Sequence, residues 1–191
     1  MSSLLASLLF AGPALAADAP LAVDYLTFQP QTWSGPGMAC KHAKLGLRCK
    51  SDAENRRSEW AVFGPSAGTI TGSFHVDAIL AMKWGGATGV AFGMKDGTWS
   101  GVLVRQDTRA WAGGYDGKDW VNGIDWISHV HSGPGAHNLH VDVNGQQVTV
   151  TVDSKLLGTY TSPVPLSGEV APLVYGNADV TFVSLTAFPN L

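Results

Sequence analysis

The chain is short of charge. Only 14% of its 191 residues are Asp, Glu, Lys or Arg, against about 25% in an average soluble protein. Glutamate occurs only at Glu54, Glu59 and Glu169, which argues against the Glu- and Lys-rich composition of coiled coils. The hydrophobic share of 45% is too high for a disordered chain. The net charge of −3 gives no reason to expect a nucleic-acid partner.

Long apolar runs are also missing, because no stretch reaches the roughly 20 residues that a membrane-spanning helix needs. The apolar segment 4–10 is short, and Ala14-Leu15-Ala16 after it forms a small-x-small cleavage site. This pattern predicts a secretory signal peptide over 1–16, with a buried helix as the alternative. The usual basic residue at its start is missing, which leaves open a start upstream of Met1. Cleavage would leave 17–191, which we expect to form a single β-sandwich domain.

Cysteine is scarce, with only Cys40 and Cys49. The two residues flank a predicted turn at Leu45-Gly46, and an oxidising compartment would favour a disulfide between them. Two free thiols or half of a metal site are the alternatives, although C-x8-C is not a usual zinc spacing. The chain also lacks an N-x-S/T glycosylation acceptor. Together with the signal peptide, these features favour a bacterial periplasmic or extracellular protein.

Alternating apolar residues and glycine are abundant instead. Phe74, Val76, Ala78, Leu80 and Met82 alternate with other residues, a period of two that predicts a half-buried strand. Runs at 139–143 and 148–152 flank Asn144-Gly145, which predicts a hairpin with a type I′ turn. A helix is favoured only at 51–58, where Ser51 and Glu54 have capping-box spacing. Further strands are predicted at 60–63, 90–94, 102–104, 156–160, 168–175 and 180–188. Many short strands with Gly-rich turns indicate a sandwich or barrel.

The order of these features in the C-terminal half is specific. The hairpin around Asn144-Gly145 leads to an Asp-containing turn, a short strand at 156–160, Pro165, Gly168-Glu169-Val170 and an apolar strand at 180–188. This order resembles the concanavalin A-like lectin/glucanase superfamily, and with the earlier strands the resemblance extends over about 60–188. It implies an all-β, two-sheet antiparallel jelly-roll sandwich. The superfamily includes laminin-G-like domains, carbohydrate-binding modules, glucanases and keto-disaccharide hydrolase-like domains, and fold alone does not choose among them.

The stretch 109–126 is the leading candidate for a binding site. It is rich in aromatic residues and Asp, and its glycines predict a surface loop. Aromatic faces stack on the apolar faces of sugar rings, and carboxylates accept hydrogen bonds from sugar hydroxyls. We therefore hypothesise a lectin-like carbohydrate-binding protein whose ligand is contacted by Trp99, Trp111, Tyr115, Asp116, Trp120 and Trp126. The alternative is that these Trp residues pack in the core, since Trp is usually mostly buried.

Signs of an enzyme are weak. No G-x-S-x-G motif is present, and neither is the Glu-x-Asp-x-Glu run that glucanases of the superfamily use. A glycoside hydrolase needs two carboxyl groups about 5–10 Å apart, and Asp116, Asp119 and Asp125 could supply them through loop geometry. A glycan-cleaving hydrolase is therefore one alternative function. A structural or adhesion domain that binds protein is another.

Histidines cluster between 129 and 140. The two imidazoles of an H-x-H segment lie on one face of an extended chain, and imidazole suits zinc, copper or nickel. This suggests a transition-metal site formed by His129, His131 and His140, with solvated loop histidines as the alternative. Calcium bound through Asp and backbone oxygens is a second option for the fold, although no EF-hand-like spacing supports it.

Charge is unevenly distributed along the chain. Residues 41–57 contain six basic and two acidic residues, whereas 58–191 contain six basic and eleven acidic ones. A basic hairpin on an acidic body could contact anionic glycan or lipid head groups. A solvated edge that discourages strand pairing explains the same pattern.

Overall fold

The computed structural model describes residues 21–24, 32–35, 37–51, 61–128 and 135–190, and these residues form strands and turns without a helix. All strand pairs are antiparallel. The strands are β1 (Leu21–Asp24), β2 (Thr32–Gly35), β3 (Met38–Ala43), β4 (Gly46–Ser51), β5 (Ala61–Phe63), β6 (Gly68–Ile70), β7 (Phe74–Lys95), β8 (Thr98–Arg105), β9 (Arg109–Tyr115), β10 (Trp120–Ser128), β11 (Ala136–Asn144), β12 (Gln147–Val152), β13 (Lys155–Thr161) and β14 (Gly168–Pro189).

Two long strands, β7 and β14, run through both layers of a sandwich. Each has 22 residues, and their mutual register shifts where Ala87 pairs with Tyr175 and Gly85 pairs with Ala178. On one side of this shift the order is β10-β9-β8-β7-β14, with β5 and β6 also beside β14. We call this layer the first sheet. On the other side the order is β13-β12-β11-β7-β14-β4-β3-β2, with β1 beside β14. This layer is the second sheet.

The core lies between the two sheets and follows the predicted alternation. In β11 the burial alternates residue by residue, with Leu139, Val141 and Val143 buried, because successive side chains of a strand point to opposite faces. Phe74, Val76, Ala78, Leu80 and Met82 are all buried in the same cluster. The predicted all-β, two-sheet sandwich is therefore confirmed.

The hairpin at 139–152 is confirmed, but its turn is not the predicted one. Asn144 pairs with Gln147, so the two central residues are Gly145 and Gln146. Gly145 has a φ of 59°, and a glycine at the first central position is typical of a type II′ turn. The next hairpin has the type I′ turn instead, since Asp153 and Ser154 both have positive φ. A type I′ turn requires positive φ at both central positions.

The disulfide prediction is confirmed. Cys40 in β3 lies directly opposite Cys49 in β4, and the two are bonded. Both residues are buried, so the bond lies on the core side of the β3–β4 hairpin.

Two other expectations fall outside the described residues: the signal peptide over 1–16 and, beyond Ser51, the helix over 51–58. Ser51 itself is the last residue of β4. In the part of the chain that the structure describes, no helix is long and apolar enough to cross a membrane.

Candidate functional site

A groove lies on the outer face of the first sheet, away from the sandwich core. In β8 and β9 alternate side chains face it, and the register pairs Trp99 with Tyr115 and Leu103 with Trp111. The same register continues to Trp120 on β10, which pairs with Tyr115. Because directly paired residues share a face of a sheet, strand alternation alone brings these aromatic residues to one side. The groove has a volume of about 1350 Å³.

Small residues form the middle of this face. Ala87, Ala91 and Gly101 lie in the central strands, and Gly113 lies next to the aromatic cluster. A Cβ at Gly113 would come within 2.3 Å of the Val121 carbonyl oxygen and 2.6 Å of the Trp111 ring. Glycine is therefore required there for β10 and the indole to approach so closely. A Cβ at Gly101 would lie 3.0 Å from the Leu173 side chain and 3.1 Å from the Trp99 ring, so the small residues allow large side chains to pack down onto the sheet.

The predicted surface loop at 109–126 is wrong, because most of that stretch forms β9 and β10. Only 116–119 is a turn. The Asp116 carboxylate organises this turn by accepting hydrogen bonds from the backbone N–H groups of Asp119 (2.8 Å) and Lys118 (2.9 Å). These two bonds lower the pKa of Asp116 below its usual value, because they stabilise the charged carboxylate. Asp116 is not among the residues that line the groove.

The other five residues predicted to bind ligand all line the groove: Trp99, Trp111, Tyr115, Trp120 and Trp126. Their exposure differs sharply. Trp99 is 5% exposed and Trp111 is 2% exposed, whereas Trp120 is 39% exposed. Trp111 also donates a hydrogen bond from Nε1 to Oδ1 of Asn122 at 2.7 Å. The interpretation of the Trp residues as core therefore fits Trp99 and Trp111, and the interpretation as a contact surface fits Trp120.

Trp120 rests on the two buried indoles. Its ring centroid is 5.0 Å from that of Trp99 and 5.4 Å from that of Trp111, with edge-to-face geometry in both pairs. It also reaches Tyr175 of β14 at 5.4 Å. Such edge-to-face aromatic pairs are favourable beyond the area they bury. The arrangement fixes one exposed indole in the lining of the groove.

The polar groups of the groove are not the predicted aspartates. Asp119 and Asp125 do not line it. Asp119 lies 3.9 Å from the Lys118 ammonium, and Asp125 accepts a hydrogen bond from the backbone N–H of Trp126. The polar lining consists of Thr69, Thr71, Lys95, Asp96, Thr98, Lys118, Asn122, Ser167 and Glu169.

Sequence reasoning missed the contribution of distant strands. Phe63 of β5 and Tyr175 of β14 line the groove, and Phe63 pairs with Leu173 of β14 on the groove face. Glu169 lies at the start of β14, opposite Met94. Asn122 stood within the aromatic stretch and could have been found as its nearest polar partner. Phe63, Tyr175 and Glu169 could not have been found in this way, because only the pairing of β14 with β5 and β7 places them at the groove.

The histidines lie elsewhere. His129 and His131 are outside the described residues, and His140 is on the outer face of the second sheet. His140 lies between two carboxylates, with Nδ1 at 2.7 Å from Asp77 and Nε2 at 3.0 Å from Asp142. His137 is buried and pairs with Asp153 at 2.8 Å. Within the described ranges, no group of three or more His, Cys, Asp or Glu residues could hold a metal ion.

These features define the class of protein: an all-β sandwich of the concanavalin A-like lectin/glucanase fold with an aromatic groove on one sheet. The expected resemblance to that superfamily is thus confirmed as a resemblance of fold. No protein-family model matches the chain, and no curated protein sequence matches it either.

Solved structures share the fold. The carbohydrate-binding module CBM66 from Bacillus subtilis matches with a TM-score of 0.64 at 15% identity, over 82% of this chain and 93% of that chain. A Bacillus subtilis protein of unknown function with a galectin-like fold matches with a TM-score of 0.63 at 8% identity, over 90% and 96%. The Crh5 transglycosylase matches with a TM-score of 0.57 at 9% identity, over 92% and 89%. At such identities the likeness establishes the fold alone.

Proposed function

We propose that the protein is a lectin-like carbohydrate-binding protein that holds a neutral glycan in the groove of the first sheet. The observation that carries this proposal is the exposed indole of Trp120 in the groove lining, held on the buried rings of Trp99 and Trp111. A fixed apolar face beside a few polar groups is what recognition of a sugar ring requires. Asn122 and Glu169 of the groove lining are candidates for hydrogen bonds with hydroxyl groups, in place of the expected aspartates.

The size and charge of the groove indicate the kind of glycan. Its volume of about 1350 Å³ exceeds the roughly 300–1,000 Å³ that suits a drug-sized ligand, which favours a chain of several sugar units. The charged lining residues are two of each sign: Lys95 and Lys118, with Asp96 and Glu169. This balance favours an uncharged chain, since neither sign of ligand would be attracted.

The test is a glycan array with the full chain and its Trp120→Ala variant. We expect loss of the Trp120 indole to weaken binding to the best neutral glycan about tenfold or more, as for a central aromatic contact. The matched control is Trp84→Ala, because Trp84 is 41% exposed but lies outside the groove. Equal affinities of the Trp120→Ala and Trp84→Ala variants would overturn the proposal. Trp111→Ala is less suitable, since it would also disturb a buried side chain.

Hydrolysis of a glycan is the second candidate function. It is favoured by the presence of two carboxylates, Asp96 and Glu169, in the lining of the groove. Glycoside hydrolases act through two carboxyl groups about 5–10 Å apart. Release of new reducing ends from a bound glycan, lost in Glu169→Gln, would favour this function over binding alone.

We also propose that the protein works outside the cytoplasm, in the periplasm or the extracellular space. The Cys40–Cys49 bond supports this proposal, because structural disulfides persist in oxidising compartments. A glycan of the cell envelope is then an accessible partner.

A further inference from the structure

A positively charged surface lies on the outer face of the second sheet, and none of its residues lines the groove. We call it the basic strip, and it consists of Lys41, Lys44, Arg48, Lys50 and Lys83. Lys41 of β3 lies directly opposite Arg48 of β4. Lys50 pairs with Asp179 of β14, and the exposed Lys83 of β7 lies near enough to Asp179 to contribute to lowering its pKa. Because alternate residues of a strand share a face, cations two residues apart are separated by about 6.7 Å along the strand.

Among the described residues, the strip contains one carboxylate, that of Asp179, and it is already paired with Arg48. The side chain of Asp179 is 2% exposed and accepts hydrogen bonds from Nε (2.7 Å) and Nη2 of Arg48. The Lys50 ammonium lies farther away, at 3.8 Å. Hydrogen bonding by Arg48 holds the pKa of Asp179 below its usual value. Among the described residues, Lys41 and Lys44 have no carboxylate at salt-bridge distance, so the strip keeps an excess of positive charge.

This excess has a cost in stability. Like charges directly opposite each other on neighbouring strands destabilise a sheet, and Lys41 and Arg48 form such a pair. The bond between Cys40 and Cys49, on the other face of the same hairpin, holds the strands together despite this repulsion. Apart from the Arg48–Asp179 pair, the charges of the strip therefore do not stabilise the fold.

Protection of a sheet edge does not explain the strip either. Charged residues discourage unwanted pairing when they lie on an edge strand. Here β3 pairs with both β2 and β4, and β4 pairs with both β3 and β14. Arg48, Lys50 and Lys41 thus lie on interior strands, where the backbone groups are already paired.

We propose that the basic strip binds a linear polysaccharide that bears carboxylate or sulfate groups. Along β4, from Gly46 to Lys50, the strip is about 13 Å long at 3.3–3.4 Å per residue, and Lys44 in the hairpin turn extends it further. It is also narrow, because the neighbouring half of the same outer face carries Asp77 and Asp142 beside His140. A thin anionic chain can follow the strip without meeting these carboxylates.

Two other anionic partners fit less well. A flat anionic membrane would face the acidic half of the sheet as well as the strip, and repulsion would offset the attraction. Duplex DNA, whose two grooves alone are about 6 and 12 Å wide, is broader than a single polysaccharide chain and would also face Asp77 and Asp142. The strip is also separate from the groove, so this proposal does not depend on the function proposed above.

The test measures binding of the full chain to dextran sulfate and polygalacturonate, with uncharged dextran as the neutral polymer. We expect binding to both polyanions that weakens as salt is added, since salt screens exposed charges. In Lys41→Gln/Lys44→Gln the affinity should fall about fivefold at low salt, the size expected for two exposed ion pairs. Neither lysine lies at salt-bridge distance from Asp179, and the variant loses the repulsion between Lys41 and Arg48, so its thermal stability should equal or slightly exceed that of the parent.

The matched control is Lys155→Gln, which removes an exposed lysine of β13 outside the strip. Because this control changes one lysine, its affinity is compared with that of the single variant Lys41→Gln. The control should bind polyanions like the parent. Two results would overturn the proposal: no binding of either polyanion, or equal affinity of Lys41→Gln/Lys44→Gln and the parent. Tighter binding to vesicles of equal parts phosphatidylcholine and phosphatidylglycerol, or to duplex DNA, would also overturn it by assigning the strip to another ligand.

Discussion

Trp111 and Trp120 lie nine residues apart in one aromatic stretch but have different roles. Trp111 is 2% exposed and its indole N–H is bonded to Asn122, so it supports the groove from below. Trp120 has a free face because it pairs with Tyr115 at the outer end of β9 and β10 and lies over the buried rings. From residue type alone, both Trp111 and Trp120 are predicted to contact a ligand with an aromatic ring. Exposure, which decides which ring can meet a ligand, depends on the packing of several strands.

The imidazole of His140 provides a test at the scale of one residue. Burial lowers its pKa, but hydrogen bonds to Asp77 and Asp142 outweigh burial and raise the pKa above the usual 6.5. The nearest other ionisable ring, His75, lies 5.9 Å away. A raised folded-state pKa stabilises the protein fully below the pKa of the unfolded chain, and the effect is lost as pH rises through the folded-state value.

We therefore expect the stability difference between the parent and His140→Thr to be largest near pH 6 and to shrink as pH rises above the folded-state pKa of His140. Urea unfolding across this pH range measures it. In Asp77→Asn/Asp142→Asn the pKa of His140, followed by NMR, should fall because only the effect of burial remains. A difference between parent and His140→Thr that stays constant with pH would show that the two carboxylates do not favour the charged imidazole.

At the scale of elements, the β3–β4 hairpin depends on its disulfide. The Cys40–Cys49 bond closes a loop with a sequence separation of 9. Loop-closure entropy for about ten residues gives a stabilisation of roughly 2–3 kcal/mol. We expect Cys40→Ala/Cys49→Ala to lose about this free energy of unfolding, measured by urea denaturation. Reduced parent protein, which keeps both sulfur atoms, is the control for lost packing, and it should be destabilised by a similar amount. Unchanged stability on reduction would mean that the closed loop contributes nothing.

Individual strands could be predicted where alternation was regular and the turn was short. The hairpin of β11 and β12 follows directly from its valines and Asn144-Gly145. The same reasoning failed at 109–126, because the glycines there suggested a loop. In the structure Gly113 permits the close approach of β10 and Trp111. A glycine that allows strands to pack closely and a glycine that breaks a strand look alike in sequence, and only the neighbouring strand distinguishes them.

At the scale of the whole molecule, the candidate site depends on how two long strands bend. The sequence placed separate strands at 168–175 and 180–188, whereas β14 is continuous over 168–189. Its first half pairs with β5 and brings Phe63 and Tyr175 to the groove. Its second half pairs with β4 and β1. Such contacts between residues more than 100 positions apart depend on the complete topology and have no local signal.

The continuity of β7 and β14 through both sheets leads to a prediction about unfolding. Neither sheet can lose its central pair of strands without disrupting the other, so we expect one cooperative transition. Four of the seven tryptophans lie in or beside the groove of the first sheet, so their fluorescence reports mainly on that sheet. Far-UV circular dichroism reports on both sheets. The two probes should give coincident urea transitions.

The variant Cys40→Ala/Cys49→Ala distinguishes joint from separate unfolding of the two sheets, because its substitutions lie only in the second sheet. If the sheets unfold together, loss of the disulfide must shift the tryptophan fluorescence transition of the first sheet by the same urea concentration as the circular dichroism transition. A fluorescence midpoint that stays at the value of the parent while the dichroism midpoint falls would show that the sheets unfold separately. In that case the shared strands β7 and β14 would not couple the groove to the hairpin that carries the basic strip.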